Sequence, residues 1–382
     1  MKRFFIVCIC LCLLLSGCNS ILDGNYLWTS PHQAPANPNE ADMLQASNYR
    51  ELLAALADMA EHGTQSGMIY LSQYEAADFQ EEIGKAVDAT LKNNPIAAYA
   101  VNEIKWELGT SGGQRAVAIT ISYLHNWTEI QKIQHVATTE QASEKIFDAL
   151  KKISPGIVLY LEDYEHTDFV QLIENYAFTN PQHVMEMPQV TANVYPRWGS
   201  SRVIELKFSY QTPKDSLESM QRQVSPIFSA AKLYVTGDAE DFRKYSQLYS
   251  FLTERFDYKI ETSITPAYSL LRHGVGDSKA FSTVYAVMCQ MADMDCQVIS
   301  GTHLGERWYW NLIYIDGNYY HLDLLKCNNA GHFQVLTDDE MQGYVWDYSA
   351  YPATPKPTPP APSEPADIPS TEPSTPQTEP TT

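Results

Sequence analysis

Three positions in the C-terminal third of the chain stand where a nucleophile, a base and an orienting acid would stand in acyl-transfer chemistry. Ser278 follows the glycine-punctuated turn Gly274-Val275-Gly276-Asp277. Beyond it, Phe281, Val284, Tyr285, Met288 and Met291 recur at core spacing, so a helix begins at Ser278 and runs to about Met291. A thiol at such an N-terminus is activated by the helix dipole. A serine hydroxyl ionises too weakly for that field to matter and needs an adjacent base. The plain reading is that Asp277 or Ser278 caps the helix, whose first turn faces whatever lies opposite. Trp308 and Asp323 fall on the two strands of a hairpin whose turn is Asp316-Gly317, a favoured two-residue pair. Pairing Ile315 with Asn318 sets Trp310 opposite Asp323 and makes Trp308 its diagonal neighbour on the same face. The position for a base is thus correctly placed beside a carboxylate, but indole accepts no proton.

The elements around these residues follow a recognisable order. Ala267-Tyr268-Ser269-Leu270-Leu271 precedes the turn, and the helix runs without a gap into the strand beginning near Cys296. Val298-Ile299-Ser300-Gly301-Thr302 comes next, then Trp310-Asn311-Leu312, Ile315-Asp316-Gly317 and Tyr320-His321-Leu322-Asp323. Leu336-Thr337-Asp338-Asp339-Glu340-Met341, Trp346-Asp347 and Tyr351-Pro352 close the segment. In order and spacing, residues 239–352 resemble a bacterial transglutaminase-like domain, a branch of the papain-like cysteine-enzyme fold. The resemblance covers about a third of the chain. It implies a papain-like α+β domain and a Cys-His-Asp triad, in which a thiol attacks an amide and an amine or water resolves the thioester. Carried over position by position, the cysteine falls on Ser278, the histidine on Trp308 and the aspartate on Asp323. Only Asp323 agrees, so the resemblance does not imply the family's activity here.

Other residues offer little replacement chemistry. Cys289 lies about three turns down the helix, deep in the core. His303 falls in the loop entering the hairpin, and His321 shares a face with Asp323. No His, Cys or carboxylate spacing suggests a metal shell, and nothing calls for a cofactor. The expectation is a non-catalytic domain whose old cleft, lined by Trp308, Tyr309, Trp310, His303 and His321, binds an envelope peptide, glycan or protein, or serves as scaffold. Aromatic side chains suit such a cleft, giving contact area at little entropic cost. The alternative is a divergent acyl-transfer enzyme or hydrolase acting on peptide or amide through Ser278, a non-local histidine and Asp323.

Upstream, the chain repeats itself. Ile69-Tyr70-Leu71-Ser72-Gln73-Tyr74-Glu75 returns 90 residues later as Leu159-Tyr160-Leu161-Glu162-Asp163-Tyr164-Glu165, and Asp78-Phe79 returns as Asp168-Phe169. Each unit reads as αβαββ, over 44–128 and 136–212. Helices are expected at 49–61 and 140–153, then short strands at 68–71 and 157–161. Second helices start near Asp78 and Asp168. Closing strand pairs follow at 98–108 with 116–123 and 190–195 with 203–210. Tyr70, Tyr74, Tyr160 and Tyr164 read as half-buried packing. A helical connector spans 213–238. An amphipathic helix carrying Phe242, Tyr245, Leu248, Tyr249 and Leu252 on one stripe then opens the last domain.

The whole is an α+β protein, with 44% hydrophobic residues and 24 tyrosines among 382, enough to fill real cores. A formal charge of −20 excludes nucleic acid as a natural partner. Lys2-Arg3, the apolar run from Phe4 to Leu15 and Ser16-Gly17-Cys18 read as a secretory signal over 1–17. Leu15-Ser16-Gly17-Cys18 resembles the bacterial lipobox, which implies lipid on Cys18 and a protein held on the extracytoplasmic face of a membrane. Residues 18–43 read as a tether, and 353–382, dominated by Pro, Thr, Ser and Glu, as a solvated tail. Cys289, Cys296 and Cys327 are odd in number and imply no disulfide framework.

Overall fold

Asn48 closes the first turn of a helix by accepting the Glu51 N–H, and that helix, α1 (Tyr49–Glu61), begins at the residue its periodicity indicates. The computed structural model describes residues 44–260 and 263–356. The signal at 1–17, Cys18, the tether and most of the tail lie outside them. Two compact units divide the described residues. The first runs to Ala89 and takes in Asn102–Ser122; the second takes Thr90–Val101 and everything from Tyr123 onward.

In the first unit a short strand β1 (Leu44–Gln45) pairs in parallel with β2 (Ser66–Tyr70). Helix α2 (Phe79–Asn93) follows, and the order is completed by β4 (Gln114–Tyr123) and β3 (Val101–Ser111), giving β1-β2-β4-β3. Leu52, Leu56 and Met59 from α1 are buried, as are Ile69, Ile83 and Ile119. Between α2 and β3 in sequence, and belonging to the second unit, stands a helix the strand pattern hid, α3 (Pro95–Ala100), with Asn94 as N-cap and proline at its first position. Residues 98–100 are therefore helical, and the strand read from 98 begins at Val101.

The second unit holds two four-stranded sheets and one two-stranded sheet. In one, β5 (Gln134–Val136), β6 (Gly156–Leu161), β8 (Arg202–Ser209) and β7 (Gln189–Tyr195) run in the order β5-β6-β8-β7, with β5 parallel to β6. A single turn, α4 (Trp127–Ile130), precedes it, and α5 (Thr139–Lys151) and α6 (Phe169–Thr179) lie within it in sequence. Ile146, Leu159, Ile173 and Leu206 fill its main core. Ile96, Tyr99 and Ala100 of α3 cluster with Ile130, Ile133 and Val203. Both N-terminal sheets thus have one strand order. The structure adds to each αβαββ pattern a leading strand of two or three residues, too short to register as periodicity. Tyr70, Tyr160 and Tyr164 are half-buried and Tyr74 is buried.

The last sheet follows α7 (Lys214–Ser229) and α8 (Asp241–Thr253). Strands β9 (Asp257–Tyr258) and β10 (Val275–Gly276) form a small parallel pair around α9 (Pro266–His273). Helix α10 (Ser278–Met291) leads to β11 (Cys296–His303), β12 (Glu306–Ile315) and β13 (Asn318–Leu322). Helix α11 (Leu324–Ala330) and strand β14 (Tyr344–Val345) complete the domain, in sheet order β13-β12-β11-β14. Helix α10 is buried from Ala280 through Cys289, so it is the central post of the domain. The connector is helical as expected, and Leu217, Val224 and Phe228 of α7 sit in the same core as Tyr245, Leu248, Leu252 and Phe281. Phe242, read on the buried stripe of α8, is 45% exposed and meets Phe333 edge-on instead. Cys289, Cys296 and Cys327 are free and buried. Burial pushes the Cys289 thiol up, and that of Cys327 up to about 11.

Candidate functional site: the triad positions

Two glycines fix the entry to α10. Gly274 ends α9 in the left-handed region, at φ 78°, where a side chain would be strained. A Cβ on Gly276 would stand 2.9 Å from Ala280 Cβ and 3.1 Å from Leu270 Cδ1, so only glycine lets the strand pass this close. Asp277 then caps α10, its carboxylate accepting the Ala280 N–H at 2.9 Å. Ser278 is the first helical residue and is only 6% exposed, while Lys279 beside it in the first turn is half-buried. Among the described residues no imidazole hydrogen-bonds its hydroxyl.

The hairpin takes the register set by its turn. Ile315 pairs with Asn318, and the ladder runs on to Asn311 opposite Leu322. Asp316 and Gly317 both adopt positive φ, as a two-residue turn of this kind requires. The ladder stops one residue short of Asp323, which is not on the strand as read from sequence but is the N-cap of α11. Its Oδ1 accepts the backbone N–H groups of Leu325 at 2.9 Å and Lys326 at 3.1 Å. Its Oδ2 accepts the Trp308 indole N–H at 2.8 Å and the Tyr344 hydroxyl at 2.6 Å. Four donors around a carboxylate that is 3% exposed leave it no capacity for an imidazole. Burial, with the Asp323 charge alongside, pushes the Tyr344 hydroxyl far up and keeps it protonated as a donor.

Alternation along β12 separates residues the sequence reading placed in one cleft. Trp308 keeps a partly exposed face against Tyr258 and His303, at centroid distances of 5.8 and 5.7 Å. Trp310 is not a cleft wall: it is fully buried with Ile299, Leu312, Tyr344 and Trp346. His321 is likewise buried, at 1% exposure. Its Nδ1 accepts the Trp310 indole N–H at 3.0 Å, which leaves Nε2–H to donate to Asp338 at 2.8 Å. Burial lowers the His321 pKa and the Asp338 carboxylate partly restores it, so this histidine is a neutral structural link. His303 ends β11 rather than lying in the loop, because Leu304-Gly305, both at positive φ, make the connection in two residues. It stacks on Tyr344 at 4.1 Å. Tyr309 points to the opposite side of β12, against Phe178 and near Lys279.

Sequence reasoning missed Tyr344 and Tyr258. Tyr258 is brought beside the start of α10 by its pairing with Gly276. Burial, then the charges of Asp277, Glu306 and Asp323, push its hydroxyl up. A two-residue strand carries no periodic signal, and nothing local ties Tyr344 to a carboxylate 21 residues before it.

Residues 229–324 match the family model of the transglutaminase-like superfamily. The chain carries a transglutaminase-like domain. All three triad positions fall inside the match, which ends one residue past Asp323. Similar solved structures include one described as a TGase, at 9% identity and TM-score 0.24, covering 50% of this chain and 58% of its own. Another is a candidate cysteine protease from Cytophaga hutchinsonii, at 10% identity and TM-score 0.25, covering 41% and 70%. A third is a candidate protease from Parabacteroides distasonis, at 10% and 0.22, covering 58% and 35%. The chain therefore spans little more than half the length of the TGase and about a third of the Parabacteroides protein. A comparison with curated proteins returns no match. Among the described residues no helix is long and apolar enough to cross a membrane, and no cluster of His, Cys, Asp and Glu forms a metal shell.

Proposed function

We propose that this protein is a lipid-anchored, extracytoplasmic module whose transglutaminase-like domain performs no acyl transfer and works as a binding or scaffold element of the cell envelope. The observation that carries this reading is the Trp308–Asp323 hydrogen bond. In the triad that the resemblance implies, the group on that strand donates one N–H to the aspartate and uses a second nitrogen as base. Trp308 reproduces the donation and has nothing for the second task. Ser278, without an imidazole partner, is left as a helix residue beside a capping aspartate. The sequence Leu15-Ser16-Gly17-Cys18 supports the lipid anchor. The partly exposed ring of Trp308, with Tyr258 and His303, supports an aromatic contact surface for an envelope peptide, glycan or protein.

Two assays test the two halves of this proposal. Peptide hydrolysis and incorporation of a fluorescent amine into glutamine peptides are expected to stay at background; turnover abolished by Ser278→Ala overturns the non-catalytic reading. Cys18→Ala is expected to move the protein from the membrane fraction to the soluble one, and unchanged fractionation overturns the anchor.

A further inference from the structure

Away from the triad positions, the second unit contains a cavity of about 750 Å³. That size accommodates a small molecule or a short peptide. One wall is the end of α6 and the segment after it, with Phe178, Met185 and Met187; the other comes from α10 and β12, with Lys279, Arg307 and Tyr309. None of Ser278, Trp308 and Asp323 lines it, because Arg307 and Tyr309 alternate with Trp308 along the strand.

The charges on its walls are unequally committed. Glu186 is buried, and its two oxygens accept the backbone N–H groups of Gln211 at 2.5 Å and Thr212 at 3.1 Å. Glu174 stands exposed at the rim. The side chains of Lys279 and Arg307 make no ion pair or hydrogen bond among the described residues. In a chain with 46 acidic and 26 basic residues, two cations whose side chains lack a carboxylate partner meet on one cavity wall. The Lys279 ammonium lies 5.4 Å from the centre of the Phe178 ring and 5.8 Å from that of Tyr309, and the two rings are 5.6 Å apart. Cation–π attraction holds the ammonium over an aromatic wall while its N–H donors stay free.

We propose that this cavity binds a carboxylate carried on an apolar body. Lys279 and Arg307 take the anion, and Phe178, Tyr309 and Met187 take the body. A short apolar peptide with a free C-terminus and a fatty acid both present this chemistry. The site stands apart from the triad positions, so it holds or fails independently of whether Ser278 is catalytic.

The test is calorimetric titration of the full chain with N-acetyl-leucyl-phenylalanine, its C-terminal amide, and laurate. The acid, laurate or both are expected to bind. The amide is expected to bind about tenfold more weakly than the acid, since a charge-assisted contact is lost. Lys279→Gln and Arg307→Gln should each weaken the acid by a similar factor, and Arg307, being exposed, is replaced without risk to folding. Binding of the dipeptide alone assigns a peptide ligand, and binding of laurate alone assigns a lipid one; either supports the carboxylate site. Equal binding of acid and amide, no binding of either anion, or full binding by Arg307→Gln overturns it.

Discussion

Asp323→Asn isolates what the buried carboxylate at position 323 does. The carboxylate accepts four donors, two backbone N–H groups on Oδ1 and the Trp308 and Tyr344 donors on Oδ2. An amide of the same shape has one acceptor oxygen and an NH₂ group that only donates. With NH₂ in the Oδ1 position both backbone donors lose their acceptor; with NH₂ in the Oδ2 position the indole N–H loses its acceptor while the Tyr344 hydroxyl can turn and accept, so one or two buried donors are stranded. Each stranded buried donor costs roughly 1–3 kcal/mol, so the substitution is expected to cost about 1–6 kcal/mol. Native-state hydrogen exchange reads this locally, because the Leu325 and Lys326 amides are among the four donors. At about 1.4 kcal/mol per factor of ten, their exchange should accelerate by about tenfold or more, together with neighbouring amides of α11. A urea titration of the domain should show a matching loss. A change below about 1 kcal/mol by both measurements would refute the four-donor arrangement, and with it the reading of Asp323 as a structural hub.

Trp308→Phe removes one donor while Tyr344 keeps the same oxygen, so a smaller loss of about 2 kcal/mol is expected by denaturant unfolding, and the Trp308–Asp323 pair should show clear coupling in a double-mutant cycle. Gly276→Ala puts a methyl 2.9 Å from Ala280 Cβ, and overpacking of about 1–3 kcal/mol should appear as a lowered urea midpoint. His321 predicts a pH dependence. Its folded pKa lies below its ordinary value near 6.5, so the unfolded chain binds more protons between the two. The stability it contributes is complete above about pH 6.5 and is lost as pH falls toward the folded value; His321→Gln should flatten unfolding profiles in that window. Tyr245→Phe removes the hydroxyl that donates to the Asp295 carbonyl at 2.5 Å, and is expected to cost about 1 kcal/mol in the same titration.

Short-range physics made much of this legible. The start of α10 at Ser278 follows from the Asp277 cap and a helical apolar period, and both are local. The register of β12 with β13 follows from one two-residue turn, and it brings the Trp308 ring near the Asp323 carboxylate. The absence of an imidazole at position 308 and of a thiol at 278 is a matter of residue identity. The rest was decided by contacts between distant segments. Tyr344 completes the shell of Asp323 from 21 residues downstream, and Trp346 helps bury Trp310. His321 is a core link because Leu336 bridges to it and Asp338 reaches its ring. The cavity at Lys279 exists because α6, more than a hundred residues earlier, ends with Phe178 facing Tyr309. Periodicity, caps and turns report what a residue's neighbours in sequence require. Which carboxylate is already saturated, which aromatic is buried and which cation is left unpaired depend on neighbours in space, and these are settled only when the chain packs.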